Sequence, residues 1–232
     1  MKNLNLYIKE SLLDDEEELV NDKRADIQIW INKHKSLYNM VGPEINSDGT
    51  IDARKVEIRR FVDFEGFPDY IKFNNVEFFN IENCPIKNLQ GFPKQSYRIS
   101  IYNCRDLETI DGIDKDANIE NFILYNDSAY TPKKLKSLKG APDAKRFVLR
   151  NVNITDLSGI GKVKVLQIYK CDKLKTLNPM QGLKDLHIFD CHNLKDISKL
   201  SKSLIYIRAA RCNLEKKQWE GCLKKNGDLD FE

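Results

Sequence analysis

The sequence predicts an α/β solenoid of about eight short repeats, each giving one strand to a parallel sheet with a concave open face, with a helix closing either end. Three observations predict it. First, the stretch VKVLQIYKCDKLKTLNPM, residues 163–180, sets Val163, Leu166, Ile168, Cys171, Leu174 and Leu177 at apolar positions; the next stretch repeats this with Leu183, Leu186, Ile188, Cys191, Leu194 and Ile197. Second, the same phase runs through the chain. Aligned on the first residue of the inner apolar pair it gives Val56, Phe79, Ile99, Phe122, Phe147, Leu166, Leu186 and Ile207, at intervals of 23, 20, 23, 25, 19, 20 and 21 residues. Third, Cys84, Cys104, Cys171, Cys191 and Cys212, five of the six cysteines, share one place in the repeat.

The pattern is the leucine-rich repeat L-x-x-L-x-L-x-x-C-x-L with one residue added after the cysteine. In L-x-L the two apolar side chains lie on one face of a strand and the residue between them on the other. One such strand cannot bury its apolar face alone, so copies must stack on both sides. The second inward position reads Ile58, Ile81, Ile101, Leu124, Leu149, Ile168, Ile188 and Ala209. The returns between strands are too short for full helices throughout, so extended or 3₁₀ pieces are expected there, in an open right-handed solenoid.

Residues 1–22 are expected to form an acidic leader in which Ser11 precedes Leu12, Leu13 and the acidic run Asp14–Glu18. The N-terminal cap and turn are placed at 23–50. Residues 23–38 read as a helix with Ile27, Trp30, Ile31, His34 and Leu37 on one side, followed by turn signals at Gly42-Pro43 and Ser47-Asp48-Gly49 around a short extended piece at Ile45. The repeats occupy 51–212, with a bulging loop expected at SAYTPKK, residues 128–134. A cap helix and acidic tail are expected over 213–232, with Asn213 as N-cap, Gly227 beyond the helix end, and Leu214, Trp219, Cys222 and Leu223 facing the last repeat.

Charge excludes little: 38 basic against 35 acidic residues leave +3, too small a balance to argue for nucleic acid by itself. No apolar run approaches the roughly 18 residues that span a bilayer. The amino-terminal apolar run is broken by Lys9 and Glu10, unlike a secretory signal, so a cytoplasmic protein without membrane contact is expected. The cysteines, evenly spaced along the stack, are expected as buried thiols whose S–H groups meet backbone carbonyls; they lack the C-x-x-C pairing of structural zinc sites, and no metal or cofactor is expected. His187 and His192 have no nucleophile and orienting group at the spacing catalysis needs, and no P-loop, G-x-S-x-G, H-E-x-x-H or Rossmann glycine pattern occurs. The expected function is non-enzymatic.

The outward strand positions make the better site. Just after the second inward position they read Arg59, Glu82, Tyr102, Tyr125, Arg150, Tyr169, Phe189 and Ala210; the middle row contributes His187 and Arg208, and the preceding row Arg98 and Arg146. Contiguous Tyr, Phe and Arg are the residue types that dominate interfaces, so a protein partner is expected on this face. Single-stranded nucleic acid is the alternative occupant, with aromatics stacking on bases and arginines meeting phosphates. Asn83, Asn103, Asn126 and Asn151, just before the turn position, read as turn-forming asparagines.

The segments PIKNLQGFPKQSYRISIYNCRDLETIDGI and LKSLKGAPDAKRFVLRNVNITDLSGI resemble the L-x-x-L-x-G-x-P repeats of leucine-rich repeat proteins encoded by phages of gut Bacteroidales, including crAss-like phages, and by their hosts. YIKESLLDDEEELVND, the Trp-containing segment after it and INSDGTID are also similar to such proteins. The resemblance spans nearly the whole chain, although Gly-Pro is lost in the later repeats and the last repeat is eroded. It implies a non-enzymatic interaction protein made in the infected cell, in the host cytoplasm, or carried as a virion or assembly component.

Overall fold

The alternating apolar pairs become short strands because only a neighbouring copy can cover them, and returns of a dozen or more residues bring each new strand back parallel to the last. The structure, a computed structural model, describes residues 23–114, 116–180, 182–200 and 203–232; the leader at 1–22 lies outside them. The strands are β1 (Glu44–Ile45), β2 (Ile51–Arg59), β3 (Phe73–Glu82), β4 (Gln95–Tyr102), β5 (Asn118–Tyr125), β6 (Ala144–Arg150), β7 (Val163–Tyr169), β8 (Asp185–Phe189), β9 (Leu204–Ala210) and β10 (Leu223–Phe231). They lie in sequence order in one sheet; β1 pairs antiparallel with β2, and every later pair is parallel. The chain is thus a mostly parallel β-solenoid of about eight turns with little helix.

Both inward rows, Val56 to Ile207 and Ile58 to Ala209, pair rung by rung in the register expected, and every member is at most 1% exposed. Their burial, at about 25 cal/mol per Å² of apolar surface, is the main force holding the stack together. Aromatic rings reinforce it: Phe122 and Phe147 meet on adjacent rungs at 4.8 Å, and Phe79 meets Phe92 at 4.7 Å. Among the described residues the returns hold one 3₁₀ turn, Ser128–Tyr130, inside the bulging loop, and are otherwise turns and extended chain.

Seven of the eight strands from β2 to β9 leave the sheet through one device. The residue after the strand is left-handed at Arg60, Asn83, Asn103, Asn151, Lys170, Asp190 and Arg211, with φ between 48° and 56°. At five of these seven exits the next residue is a cysteine, whose thiol reaches back to the carbonyl two residues earlier, Cys84 to Glu82 at 3.3 Å, Cys104 to Tyr102 at 3.4 Å, Cys212 to Ala210 at 3.4 Å, Cys191 to Phe189 at 3.5 Å and Cys171 to Tyr169 at 3.6 Å; at the other two it is Phe61 or Val152. Asn83, Asn103 and Asn151 are therefore turn residues of the kind that tolerates this backbone. Asn126 is not. It lacks the left-handed φ and is wholly buried, its amide donating at 3.5 Å to the carbonyls of Arg150 and Asn151 on the next rung. The longest interval, 25 residues, is the one that contains this altered exit.

The ends differ from expectation. The described part of helix α1 covers 23–34, burying Ile27, Trp30 and Ile31, and ends four residues before the expected point. Leu37 is consequently 56% exposed, while Tyr38 turns inward and packs its ring against Phe64 at 5.4 Å. At the other end the expected cap helix shrinks to α2 (Lys216–Glu220), with Glu215 and not Asn213 as N-cap in a capping box with Gln218. Asn213 instead donates across the stack to the carbonyl of His192. The expected acidic tail is β10, which pairs with β9 through Asp228↔Tyr206, Leu229↔Ile207, Asp230↔Arg208 and Phe231↔Ala209. Gly227 lies in its bulge, where an added Cβ would come within 3.0 Å of the Ile205 carbonyl oxygen. Trp219, wholly buried, packs beneath this final strand.

Candidate binding face

A parallel register carries every residue of one outward row beside its counterpart in the next strand, about 4.8 Å away. The row expected from the sequence is continuous: Arg59↔Glu82↔Tyr102↔Tyr125↔Arg150↔Tyr169↔Phe189↔Ala210. The middle row brings Gln167, His187, Arg208 and Asp230 together, and the preceding row sets Arg98 beside Phe78 and Asn121, and Arg146 beside Asn121 and Val165.

The rings of the row hold one another. Tyr102 and Tyr125 lie 5.6 Å apart, the Arg150 guanidinium sits 4.6 Å above the Tyr125 ring, Tyr169 and Phe189 stack within 4° of parallel at 5.3 Å, and the Arg208 guanidinium lies 5.5 Å from the Phe189 ring. Each cation over a ring contributes about 0.5–1 kcal/mol where exposed. Side chains fixed in this way lose little further freedom when a ligand arrives.

Two hollows open on this face. One of about 680 Å³ is lined by Arg98, Tyr102 and Tyr125 together with Lys55, Glu57, Arg59, Glu82 and Asp127. Here ion pairs run along the rungs: Lys55–Glu57 at 2.9 Å, Arg59–Glu57 at 2.7 Å and Arg59–Glu82 at 3.3 Å. Burial alone would raise the Glu57 carboxyl, but hydrogen bonds from Lys55, Asn39 and Asn80 and the Arg59 charge hold it below its usual range. The other hollow, of about 470 Å³, is lined by Arg150, Tyr169, His187, Phe189 and Arg208 with Lys170, Asp190 and Arg211. Burial, with Arg146 and Arg208 nearby, pushes the His187 imidazole below its usual 6.5 against the opposing pull of Asp185, so it is neutral at pH 7.

No family model, curated protein or solved structure matches the chain. What the face can do is therefore read from its own chemistry.

Of the nine residues expected here, eight line the two hollows; Arg146 lines neither and is held by Gln167 Oε1 at 2.6 Å. Sequence reasoning missed Lys170, Asp190 and Arg211 because they follow the strand, in the row whose asparagines read as turn formers. It also missed the carboxylates of β10 and of the residue after it: Asp230 pairs with Arg208 at 2.9 Å and Glu232 lies 3.9 Å from it. Alternation of Leu229 and Phe231 was the available signal for that strand.

The thiol ladder offers one reactive position. Burial pushes Cys104 and Cys171 up to about 12. Cys212, half-buried, is lowered by its interaction with the neighbouring Cys191 thiol, which is correspondingly raised. Thiolate is the reactive form. At neutral pH iodoacetamide should therefore modify Cys212 first, with Cys104 and Cys171 reacting only on unfolding; peptide mapping of a time course checks this, and simultaneous labelling of all thiols would contradict it. Among the described residues no cluster of three or more His, Cys, Asp or Glu is arranged to hold a metal ion, and no helix is long and apolar enough to cross a membrane.

Proposed function

We propose that the chain is a non-enzymatic leucine-rich repeat protein that recognises a protein partner through the Tyr102, Tyr125, Arg150, Tyr169 and Phe189 row. The observation that carries this reading is the mutual bracing of the row: five side chains of the types that anchor interfaces, in register on adjacent rungs, and fixed before any ligand arrives. The likeness of the repeats to leucine-rich repeat proteins of gut Bacteroidales phages and their hosts supports the same reading, including a role made in the infected cell or carried in the virion.

Bracing also weighs against the nucleic-acid alternative. Stacking on bases needs open ring faces. Tyr169 and Phe189 cover each other, Arg208 lies over Phe189, and Arg150 covers Tyr125. The ring faces turned towards these neighbours are closed to a base, while the ring edges and guanidinium N–H groups beside them suit a polypeptide.

The test is capture by the immobilised full chain from the cells in which it is made. Tyr125→Ala with Tyr169→Ala should abolish capture and leave the melting curve close to that of the unaltered chain. Intact capture by the double variant would contradict the proposal.

A further inference from the structure

The two hollows of the open face differ in charge. The first is lined by three cations, Lys55, Arg59 and Arg98, and three carboxylates, Glu57, Glu82 and Asp127, so its lining is balanced. The second is lined by four cations, Arg150, Lys170, Arg208 and Arg211, against Asp190 alone, a net +3 with His187 neutral. Asp230 of β10 and Glu232 just beyond it neutralise part of this by meeting Arg208, and Arg211 is paired with Asp190. Arg150 and Lys170 form no close ion pair among the described residues, although the Lys170 charge reaches Asp190, and the buried Arg150 Nε–H has no acceptor. A buried donor left unmet is rare and calls for a reason.

A second observation concerns the turns. Of the seven left-handed exits three are asparagine, which suits that backbone, and one is Arg60 on the first rung; at the three rungs beside the second hollow the residue is Lys170, Asp190 or Arg211. Turn geometry does not favour a long cation at such a position. Its effect is to set Lys170 and Arg211 on the rim of the hollow.

We infer that the second hollow seats an acidic segment of the protein partner, its carboxylates meeting Arg150 and Lys170 while its apolar groups lie against the edges of the Tyr169–Phe189 stack. This rests on the partner-binding reading and names the chemistry of the partner. An acidic peptide fits better than a phosphate backbone because Asp190, Asp230 and Glu232 stand among the cations. Separate carboxylates can avoid them, whereas a uniformly charged strand cannot.

Fluorescence anisotropy on the full chain tests the inference, using a labelled oligoglutamate of about ten residues, an oligoglutamine of the same length and an oligothymidylate. Oligoglutamate should bind more tightly than the other two. Arg150→Gln and Lys170→Asn should each weaken it about tenfold. Lys195→Gln, on a return away from the hollow, should not. Lys170→Asn carries the discriminating weight, because asparagine suits the turn: the variant should melt at or above the temperature of the unaltered chain while losing the ligand. Equal binding of oligoglutamate and oligoglutamine, or undiminished binding by both hollow variants, would overturn the inference. So would oligothymidylate binding as tightly through the same residues. In each of these cases, failed partner capture by the Tyr125/Tyr169 variant would still uphold the broader reading.

Discussion

Phe122→Ala should lower the unfolding free energy by about 3–5 kcal/mol, the range for emptying a large aromatic site in a packed core. Phe122 is wholly buried at the middle of the stack, between Ile99 and Phe147 on adjoining rungs, with the Phe147 ring 4.8 Å away. Little can collapse into the space, because the neighbouring side chains are held by strand register on both sides. In a chain of this length the melting temperature should fall by roughly 6–20 °C. Ile123→Ala is the matched comparison. Its side chain lies one residue along on the open face, between Ser100 and Val148, and its removal should cost no more than about 1 kcal/mol. Equal losses for the two variants, in chemical unfolding, would mean that the two faces of the sheet are not distinguished by burial.

A chain ending at Cys222 should lose solubility and thermal stability together. Such a chain lacks β10, and with it the backbone partner of β9 and the cover that Leu229 and Phe231 give to Ile207, Ala209 and Trp219. A repeat array needs an end unit with a polar outer edge, since an open strand next to bare core invites pairing with another molecule. β10 supplies that edge with Lys224, Lys225, Asn226, Asp228 and Asp230. Size-exclusion chromatography should show the shortened chain as large assemblies, and its melt should begin well below that of the full chain. A monodisperse shortened chain with an unchanged melt would show that β10 contributes nothing to closing the stack.

The middle of the solenoid was legible in the sequence because two periods coincide there. The period of two within each strand assigns the inner pair, and the period near 20 residues aligns the strands; together they fix the register of all eight rungs from Val56 to Ile207 and so the composition of the outward rows. The ends were harder because only one neighbour constrains them. Residues 23–38 carry a helical pattern, yet Tyr38 gains more from the cluster around Phe64 and Phe67 than Leu37 would from extending the helix. In the last segment the Lys-Lys and Asn-Gly pairs obscure the short alternation of Leu229 and Phe231, and Trp219 suggests a longer amphipathic helix than five residues.

The face itself was legible in its rows but not in its charge. Tyr102, Tyr125, Arg150, Tyr169 and Phe189 follow from counting. The difference between a balanced hollow and a basic one depends on residues beyond the strand ends, Lys170 and Arg211, and on how carboxylates from β10 fall among the arginines. Asn126 misled because its neighbours in the row, Asn103 and Asn151, do serve the turn, whereas Asn126 is itself wholly buried and donates to carbonyls of the next rung.

Hydroxyl-radical footprinting of the full chain, read residue by residue by mass spectrometry, addresses the two-faced sheet most directly. Tyr102, Tyr125, Tyr169 and Phe189 should be oxidised in the folded chain, while Phe79, Phe122 and Phe147, their inward counterparts, stay unmodified until the chain unfolds. Oxidation of the inward phenylalanines at the rate of the outward tyrosines, or protection of the whole Tyr102–Phe189 row in the isolated protein, would contradict the account.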